Sequence, residues 1–421
     1  MEFSAIKGFR DVLPKEVGYW QFLEASARHL FSLFGFHEIK TPIIEKTELF
    51  SRSIGQETDI VSKEMYSLKD SKGRSLSLRP EATATVVRSY IQNRLYEKNP
   101  VQKLFSMGPM FRHERPQKGR LRQFHQINVE LFGDAGPISD ADLIILSMEL
   151  FHVLGLENLT LNINTLGCPA CRPHFKELLH RYLEDKAEAL CSDCRRRAET
   201  NPLRVFDCKV PGCKEVMLDA PSILESVCEH CLRHFDSLQY YLKESNIPFV
   251  LNPHLVRGLD YYTRTTFEIQ TTELGAQNAV AGGGRYDGLV EQLGGPSHPA
   301  IGFAVGMERV VALLGGLGPP NLDTPVFFIA ALGEKAQERA FGWTQELRKE
   351  GISTQMDYTS RSLKAQLKQA DRLGATQVLI VGENELESGK AILRDMASRE
   401  QEEVALENMV ENLRKVVFPD E

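Results

Sequence analysis

Residues 111–133 read FRHERPQKGRLRQFHQINVELFG, and they decide how the rest of the chain is understood. Arg112, Arg115, Lys118, Arg120 and Arg122 crowd into a short basic connection that holds one acid, Glu114. The run after it alternates. Phe124, Gln126, Asn128 and Glu130 share one face of a strand, and His125, Ile127, Val129 and Leu131 share the other. The second face is mostly apolar and needs a core. The first carries a ring, two amides and a carboxylate, groups that are costly to bury unless something polar meets them. Upstream, Met110, Arg112 and Glu114 fall on one parity. A hairpin therefore directs Arg112 and Glu114 toward the same pocket as Gln126 and Glu130. Taken alone, such a loop also fits a solvated hairpin with a charged turn.

The 421 residues suffice for two or three domains with cores of their own. A hydrophobic content of 42% with 25% charged residues is that of an ordinary globular chain. The net charge of −7 gives no general nucleic-acid footprint, so RNA contacts must come from local basic loops. No apolar run reaches the length of about eighteen residues that spans a bilayer, so no membrane partner is expected. The start, MEFSAIKGFRDVLPKE, has neither a signal-peptide apolar stretch nor an Arg/Ser-rich transit pattern, and a cytoplasmic location is expected.

All eight cysteines lie between Cys168 and Cys231. Cys168 with Cys171, Cys191 with Cys194, and Cys228 with Cys231 form CxxC pairs, and Cys208 with Cys213 is a looser one. The CxxC spacing lets both thiolates reach one ion, and tetrahedral zinc takes four. One or two structural zinc ions in this segment are expected. Free thiols packed as small apolar side chains are the alternative. Disulfides would need an oxidising compartment, which nothing in the chain suggests.

Pro14 opens a helix in which Trp20, Leu23, Ala27, Leu30, Phe31 and Phe34 keep the 3.6 period, and Gly35 ends it. Residues 36–50 read as a strand broken by Pro42, which confines the segment to an edge or an interface. Pro80 and Glu81 suit the first turn of a helix running through Tyr90. Residues 139–154 read as a helix and 160–166 as a strand. Residues 167–248 are helical, charged and cysteine-bearing, an insertion between β-rich parts. LVRGLDYYTRTTFEIQ (255–270) reads as one strand. AGGGRYDGLV (281–290) has glycines that permit close approach of a ligand or a neighbouring strand. AIGFAVGMERVVALL (300–314) reads as strand, glycine, helix. Arg309 then sits in a helix's first turn, where a cation opposes the dipole unless an anion binds with it. Residues 315–325 form a linker by composition, and an alternating α/β pattern follows.

KTPIIEKTELF (40–50), FRHERPQKGRLRQFHQ (111–126) and GFAVGMERVV (302–311) resemble the three signature motifs of class II aminoacyl-tRNA synthetases. LVRGLDYYTRTTFE (255–268) and AGGGRYDGLV resemble two motifs peculiar to the histidyl-tRNA synthetases. The resemblance implies an α+β fold: an antiparallel six-stranded sheet core, a helical insertion and a C-terminal α/β anticodon-binding domain. It implies a catalytic core in two parts, 1–166 and 249–320, around an insertion at 167–248, with the anticodon-binding domain at 325–421. It implies a histidine–tRNA ligase that joins L-histidine to ATP as histidyl-adenylate and passes it to the 3′ end of tRNA(His). Mg²⁺ would accompany ATP, and a homodimer would form through the first motif.

By position in the motifs, the resemblance implies the following roles. Arg112, Arg257 and Arg309 would be catalytic, with Arg112 and Arg257 at the α-phosphate and Arg309 near the γ-phosphate. Glu114 would hold the adenine end, Phe124 would stack on it, and Arg120 would join the ATP site. Glu81, Thr83, Gln126 and Glu130 would receive the histidine ammonium and imidazole, with Tyr261, Tyr262 and Tyr286 lining the ring pocket. Residues 115–122 would touch the acceptor end of the tRNA. The main rival is a regulatory subunit of ATP phosphoribosyltransferase, a synthetase-like paralogue that lacks the C-terminal domain. Another synthetase of the same class is a further one, and histidine-dependent pyrophosphate exchange separates the three.

Overall fold

The alternation at 123–132 becomes one strand of a large sheet. A computed structural model describes residues 3–56, 58–116, 119–275, 278–317, 327–359 and 361–417. Lys118 of the basic loop and residues 318–325 of the linker lie outside these. The chain divides into two compact units, Met1–Pro320 and Asn321–Glu421.

The first unit is built on eight strands: β1 (His37–Glu38), β2 (Gln102–Phe111), β3 (Gln123–Phe132), β4 (Thr160–Thr165), β5 (Val250–Leu251), β6 (Thr263–Gln270), β7 (Ala279–Arg285) and β8 (Ala300–Gly306). Their order across the sheet is β1-β2-β3-β8-β7-β6-β4-β5. The six inner strands pair antiparallel, as expected. The two outermost are two-residue parallel additions. In the hairpin, Gln102 faces Phe132 and Phe111 faces Gln123. The odd face of β3 supplies Ile127, Val129 and Leu131 to the main core, where they meet Trp20, Leu23, Leu30 and Phe31 of the helix Pro14–Leu33. Gly35 ends that helix with a left-handed φ of +76°, a conformation cheap only for glycine.

Two segments depart from the sequence reading. Residues 36–50 are not one interrupted strand. Pro42 separates β1 from a strand Ile44–Lys46 that belongs to a different, three-stranded sheet, and the helix Thr47–Ile54 follows. Residues 255–262 are not strand either, because the ladder starts only at Thr263. Arg264 takes a left-handed φ of +50° where the β6–β7 register shifts, between Gly284 and Arg285. The residues before the ladder bond elsewhere: the Asp260 N–H donates to the Ile54 carbonyl at 3.2 Å.

Between β4 and β5 the chain is helical. Phe175, Leu179, Leu183, Val205, Met217 and Ile223 form a core of their own with Cys194, Cys208 and Cys213. The helix Glu229–Glu244 instead sends Phe235, Leu238 and Leu242 into the main core. The second unit has a five-stranded sheet. Phe327–Ala331 lies between parallel Thr354–Met356 and Gln377–Val381, and Lys390–Asp395 and Gln401–Ala405 continue it antiparallel. Among the described residues no helix is long and apolar enough to cross a membrane.

Candidate active site

The even face of β3 lines a cavity of about 910 Å³ in the first unit. Its floor is acidic and aromatic. Glu130, on β3, is 1% exposed, accepts the Thr83 hydroxyl at 2.7 Å and accepts the Tyr286 hydroxyl. Glu81 is 3% exposed and accepts the backbone N–H groups of Thr83 and Ala84 at 2.7 and 2.9 Å, at the start of the helix Thr83–Gln92. Among the described residues, every hydrogen bond to either carboxylate comes from a neutral group. Burial and the charge of Glu81 outweigh the bonds from Tyr286 and Thr83 and push Glu130 up to about 8. Burial likewise raises Glu81 against its N–H bonds. Tyr261 and Tyr262 sit beside them, their rings 4.7 Å apart, and Tyr286 meets Tyr261 edge-on at 5.6 Å. The buried amide atoms Gln126 Oε1 and Asn128 Nδ2 have no hydrogen-bond partner among the described residues. Orphans of this kind are rare unless a ligand or water satisfies them.

Close packing makes room for this floor. A Cβ on Gly302, opposite Glu130 across β8 and β3, would lie 1.8 Å from Glu130 Oε2. A Cβ on Gly282 would lie 2.5 Å from Arg257 Nη1. One glycine of the triplet therefore admits the arginine. Gly283 instead lies against β8, where a Cβ would be 2.1 Å from the Gly302 carbonyl.

The rest of the cavity gathers arginines, several with an acidic partner. Arg112 donates from Nε to the Pro80 carbonyl at 2.9 Å and lies 5.3 Å over the Phe124 ring. Glu114 forms an ion pair with Arg120. Arg257 donates to Glu268 at 2.7 Å, and its buried Nε has no partner among the described residues. Arg309 donates to the carbonyls of Gly119, at 3.4 Å, and Ala279. Its helix, Met307–Leu317, is tied to β3: Glu308 accepts the His125 N–H at 2.9 Å, and the His125 ring packs edge-on against Trp20 at 5.0 Å. The apolar side of β3 thus positions an arginine that serves the polar side.

This is a pocket with a carboxyl-bearing floor and an arginine-rich mouth, built on a mostly antiparallel sheet. A histidyl-tRNA synthetase family model matches residues 8–310, and an anticodon binding domain model matches 327–416. The chain belongs to the histidyl-tRNA synthetase family. It is 55% identical to the histidine–tRNA ligase of Desulfatibacillum aliphaticivorans over 98% of both chains. It is 52% identical to that of Geobacter sulfurreducens over 96% of this chain and 97% of the relative. The crystal structure of apo S. aureus histidyl-tRNA synthetase resembles it with a TM-score of 0.81 and 36% identity, covering 97% of this chain and 99% of that one.

For a histidyl-tRNA synthetase, the residues marked in the sequence fall close together. Glu81, Thr83, Arg112, Glu114, Arg120, Phe124, Gln126, Arg257, Tyr261, Tyr262, Tyr286 and Arg309 all line the one cavity, and Glu130 lies beneath it against Thr83 and Tyr286. Sequence reasoning missed Glu268, Asp207, Lys209 and Lys214 in the same lining. It named Asn128 as part of the polar face without assigning it a role. The lysines flank Cys208 and Cys213, and no periodicity marks them.

The cysteines form two groups of four: Cys168, Cys171, Cys228 and Cys231, and Cys191, Cys194, Cys208 and Cys213. Within each group all sulfurs lie within 4.8 Å of one another. Cys168 is 3.6 Å from Cys171 and 3.9 Å from Cys228, and Cys191 is 3.9 Å from Cys208. Four sulfurs about 2.3 Å from one tetrahedral ion stand about 3.8 Å apart, so both groups fit zinc.

Proposed function

We propose that the cavity activates L-histidine with ATP and then transfers it to tRNA(His), as a histidine–tRNA ligase. The observation that carries this reading is the pair of buried carboxylates, Glu81 and Glu130, bonded only to neutral groups beneath a set of arginines. A ligand that is cationic at one end and anionic at the other satisfies both. Glu81 takes the histidine ammonium. Glu130 and Tyr286, with Thr83, Gln126, Tyr261 and Tyr262, take the imidazole, whose two nitrogens need one partner each. An apolar or wrongly shaped side chain would leave these buried groups unpaired, which is how such a site rejects it.

The histidine carboxylate attacks the α-phosphorus and pyrophosphate leaves. The terminal ribose hydroxyl of the tRNA then attacks the activated carbonyl and AMP leaves. Neither step needs a protein nucleophile; the protein aligns reactants and neutralises charge. Arg112 and Arg257 hold the α-phosphate, Arg309 and Arg120 the outer phosphates, Phe124 stacks on adenine and Glu114 binds its edge. Mg²⁺ enters with ATP. Glu114 is paired with Arg120, which places the adenine-binding acid beside a phosphate-binding arginine. The loop 115–122 meets the acceptor end, and the unit from about 325 reads the anticodon. Residues 1–166 and 249–320 form the catalytic part and 167–248 the insertion. Residues 40–50 build a homodimer interface, and the enzyme works in the cytoplasm. The match of 327–416 to an anticodon binding domain speaks against a regulatory subunit without one.

Histidine-dependent ATP–pyrophosphate exchange tests the reading. Exchange should occur with histidine alone among the amino acids, and Arg257→Ala should lower it about 100- to 1,000-fold, the usual loss when one charge-stabilising donor is removed. Exchange driven by proline or threonine would overturn it.

Each cysteine group would hold one structural zinc, a cross-link that closes the insertion without entering the chemistry. Metal analysis of protein purified without chelator should find two ions per chain. Less than about half an ion, with all eight thiols titratable, would leave packed thiols as the answer.

A further inference from the structure

The second cysteine group does more than close a helical segment. Between Cys191 and Cys213 the chain lies on the run that leads into the histidine pocket. Phe206 stacks on His254 at 5.2 Å. Arg204 donates to the Gly258 carbonyl at 2.7 Å, and Asn201 donates to Asp260 at 3.1 Å. Arg197 reaches across to Asp59 at 2.9 Å. These contacts straddle Arg257 and end just before Tyr261. Lys209 and Lys214 flank the two cysteines that close the segment, and both line the same cavity as Arg120 and Arg309. Four cations of different elements thus face one space, where Glu114 pairs with Arg120 and Asp207 also lines the wall. Lys209 and Lys214 add positive charge beside Arg309 at a place a polyanion can reach. Lysine suits such a ligand because its ammonium acts as a mobile point charge toward phosphate oxygens.

We propose that the segment closed by Cys191, Cys194, Cys208 and Cys213 completes the nucleotide site, with Lys209 and Lys214 binding the β- and γ-phosphates of ATP and the pyrophosphate that leaves. The inference rests on the ligase reading for the identity of the polyanion. Phosphates of the tRNA acceptor end are the other source of the same chemistry. Sharing one cavity with Arg309 favours the nucleotide. The cysteines act at one remove: they hold Lys209 and the helix Pro211–Leu218, which carries Lys214, beside the cavity, and metal loading is thereby coupled to ATP affinity.

The test uses the full-length protein and the double variant Lys209→Gln/Lys214→Gln. In pyrophosphate exchange its KM for ATP should rise about tenfold, as should the KM for inorganic pyrophosphate, the reactant of the reverse step. Inhibition by AMP, which lacks both outer phosphates, should be unchanged, as should the KM for histidine in exchange and the KM for tRNA in aminoacylation. Lys209→Arg/Lys214→Arg should restore the ATP value. An unchanged KM for ATP overturns the proposal, and so does a rise confined to the KM for tRNA. Cys208→Ser tests the coupling: it should lose one ion per chain and show the same ATP shift, and an ion lost with the ATP value unmoved removes the link. Should Cys208→Ser fail to fold, the lysine pair still decides the phosphate site. Wild-type protein without histidine-dependent exchange would count against the ligase reading and not against the lysines.

Discussion

Arg285 and Tyr286 are neighbours in the chain, yet they serve two opposite kinds of buried polar cluster. Arg285 is fully buried and spends all its donors. Nε binds Asp140 at 2.7 Å, Nη1 binds the Asp134 carbonyl and Asp287 at 2.9 Å each, and Nη2 binds the Gly136 carbonyl at 3.0 Å and the Ser139 hydroxyl at 2.8 Å. Asp140 also accepts from His234 Nε2 at 2.8 Å and from the Thr265 hydroxyl. Burial would raise Asp140, but the His234 bond and the Arg285 charge win and hold its carboxyl below the usual range. That cluster is closed. It joins β7 to the helix Pro137–Val153 and, through His234, to the helix Glu229–Glu244. One residue later, Tyr286 donates to Glu130, whose cluster gathers two carboxylates and leaves Gln126 Oε1 and Asn128 Nδ2 unsatisfied close by. A buried cluster that balances its own charge is part of the scaffold. One that does not is shaped for what it binds.

Removing a partner should therefore harm the two clusters in different currencies. Asp140→Ala takes the fully buried acid from the guanidinium, leaving it only the partly exposed Asp287, and removes the acceptor of His234 and Thr265; it should cost about 3–5 kcal/mol of unfolding free energy. In a Trp343→Phe background the fluorescence of Trp20 reports the unit Met1–Pro320 alone during urea unfolding. A loss under about 1 kcal/mol would mean that this cluster is not the scaffold described. Glu130→Gln keeps the shape and removes a carboxyl that, among the described residues, only neutral hydroxyls bond. Its unfolding free energy should change by less than about 1 kcal/mol, while kcat/KM for histidine falls about a hundredfold, near 3 kcal/mol. If its stability drops as far as that of Asp140→Ala, the contrast is gone.

The difference between the clusters also explains what could be read in advance. The even face of β3 was legible because Gln126, Asn128 and Glu130 alternate with Ile127, Val129 and Leu131, and a period of two assigns faces without any tertiary information. Arg309 was legible because a cation in a helix's first turn is wrong by local rules. Asp140 was not: an acid near a helix start looks like ordinary dipole chemistry, and its partner stands 145 positions away. Residues 255–262 were misread because their aromatic and β-branched composition suits a strand, while the left-handed Arg264 delays the ladder. Cysteine spacing shows pairs but not which pairs join. Here Cys168 and Cys171 meet a pair sixty positions on and enclose the second group within that loop.

The smallest effect follows from Glu130 alone. Its carboxyl is lifted from an ordinary value of 4.5 to about 8, so between these limits the folded chain holds a proton that the unfolded chain has lost. Stability from this group is then fully present below about pH 4.5 and declines as pH rises through about 8. Histidine binding runs the other way. The imidazole N–H needs the ionised carboxylate as its acceptor, and binding below pH 8 must first expel that proton. The KM for histidine should fall as pH rises from 7 to 8, by at most about tenfold per unit. Glu130→Gln should flatten both slopes, in urea unfolding and in exchange kinetics. A wild-type KM with no pH dependence, or one that the variant shares, would mean that Glu130 is already ionised before histidine arrives and that its charge is balanced within the pocket, as Asp140's is.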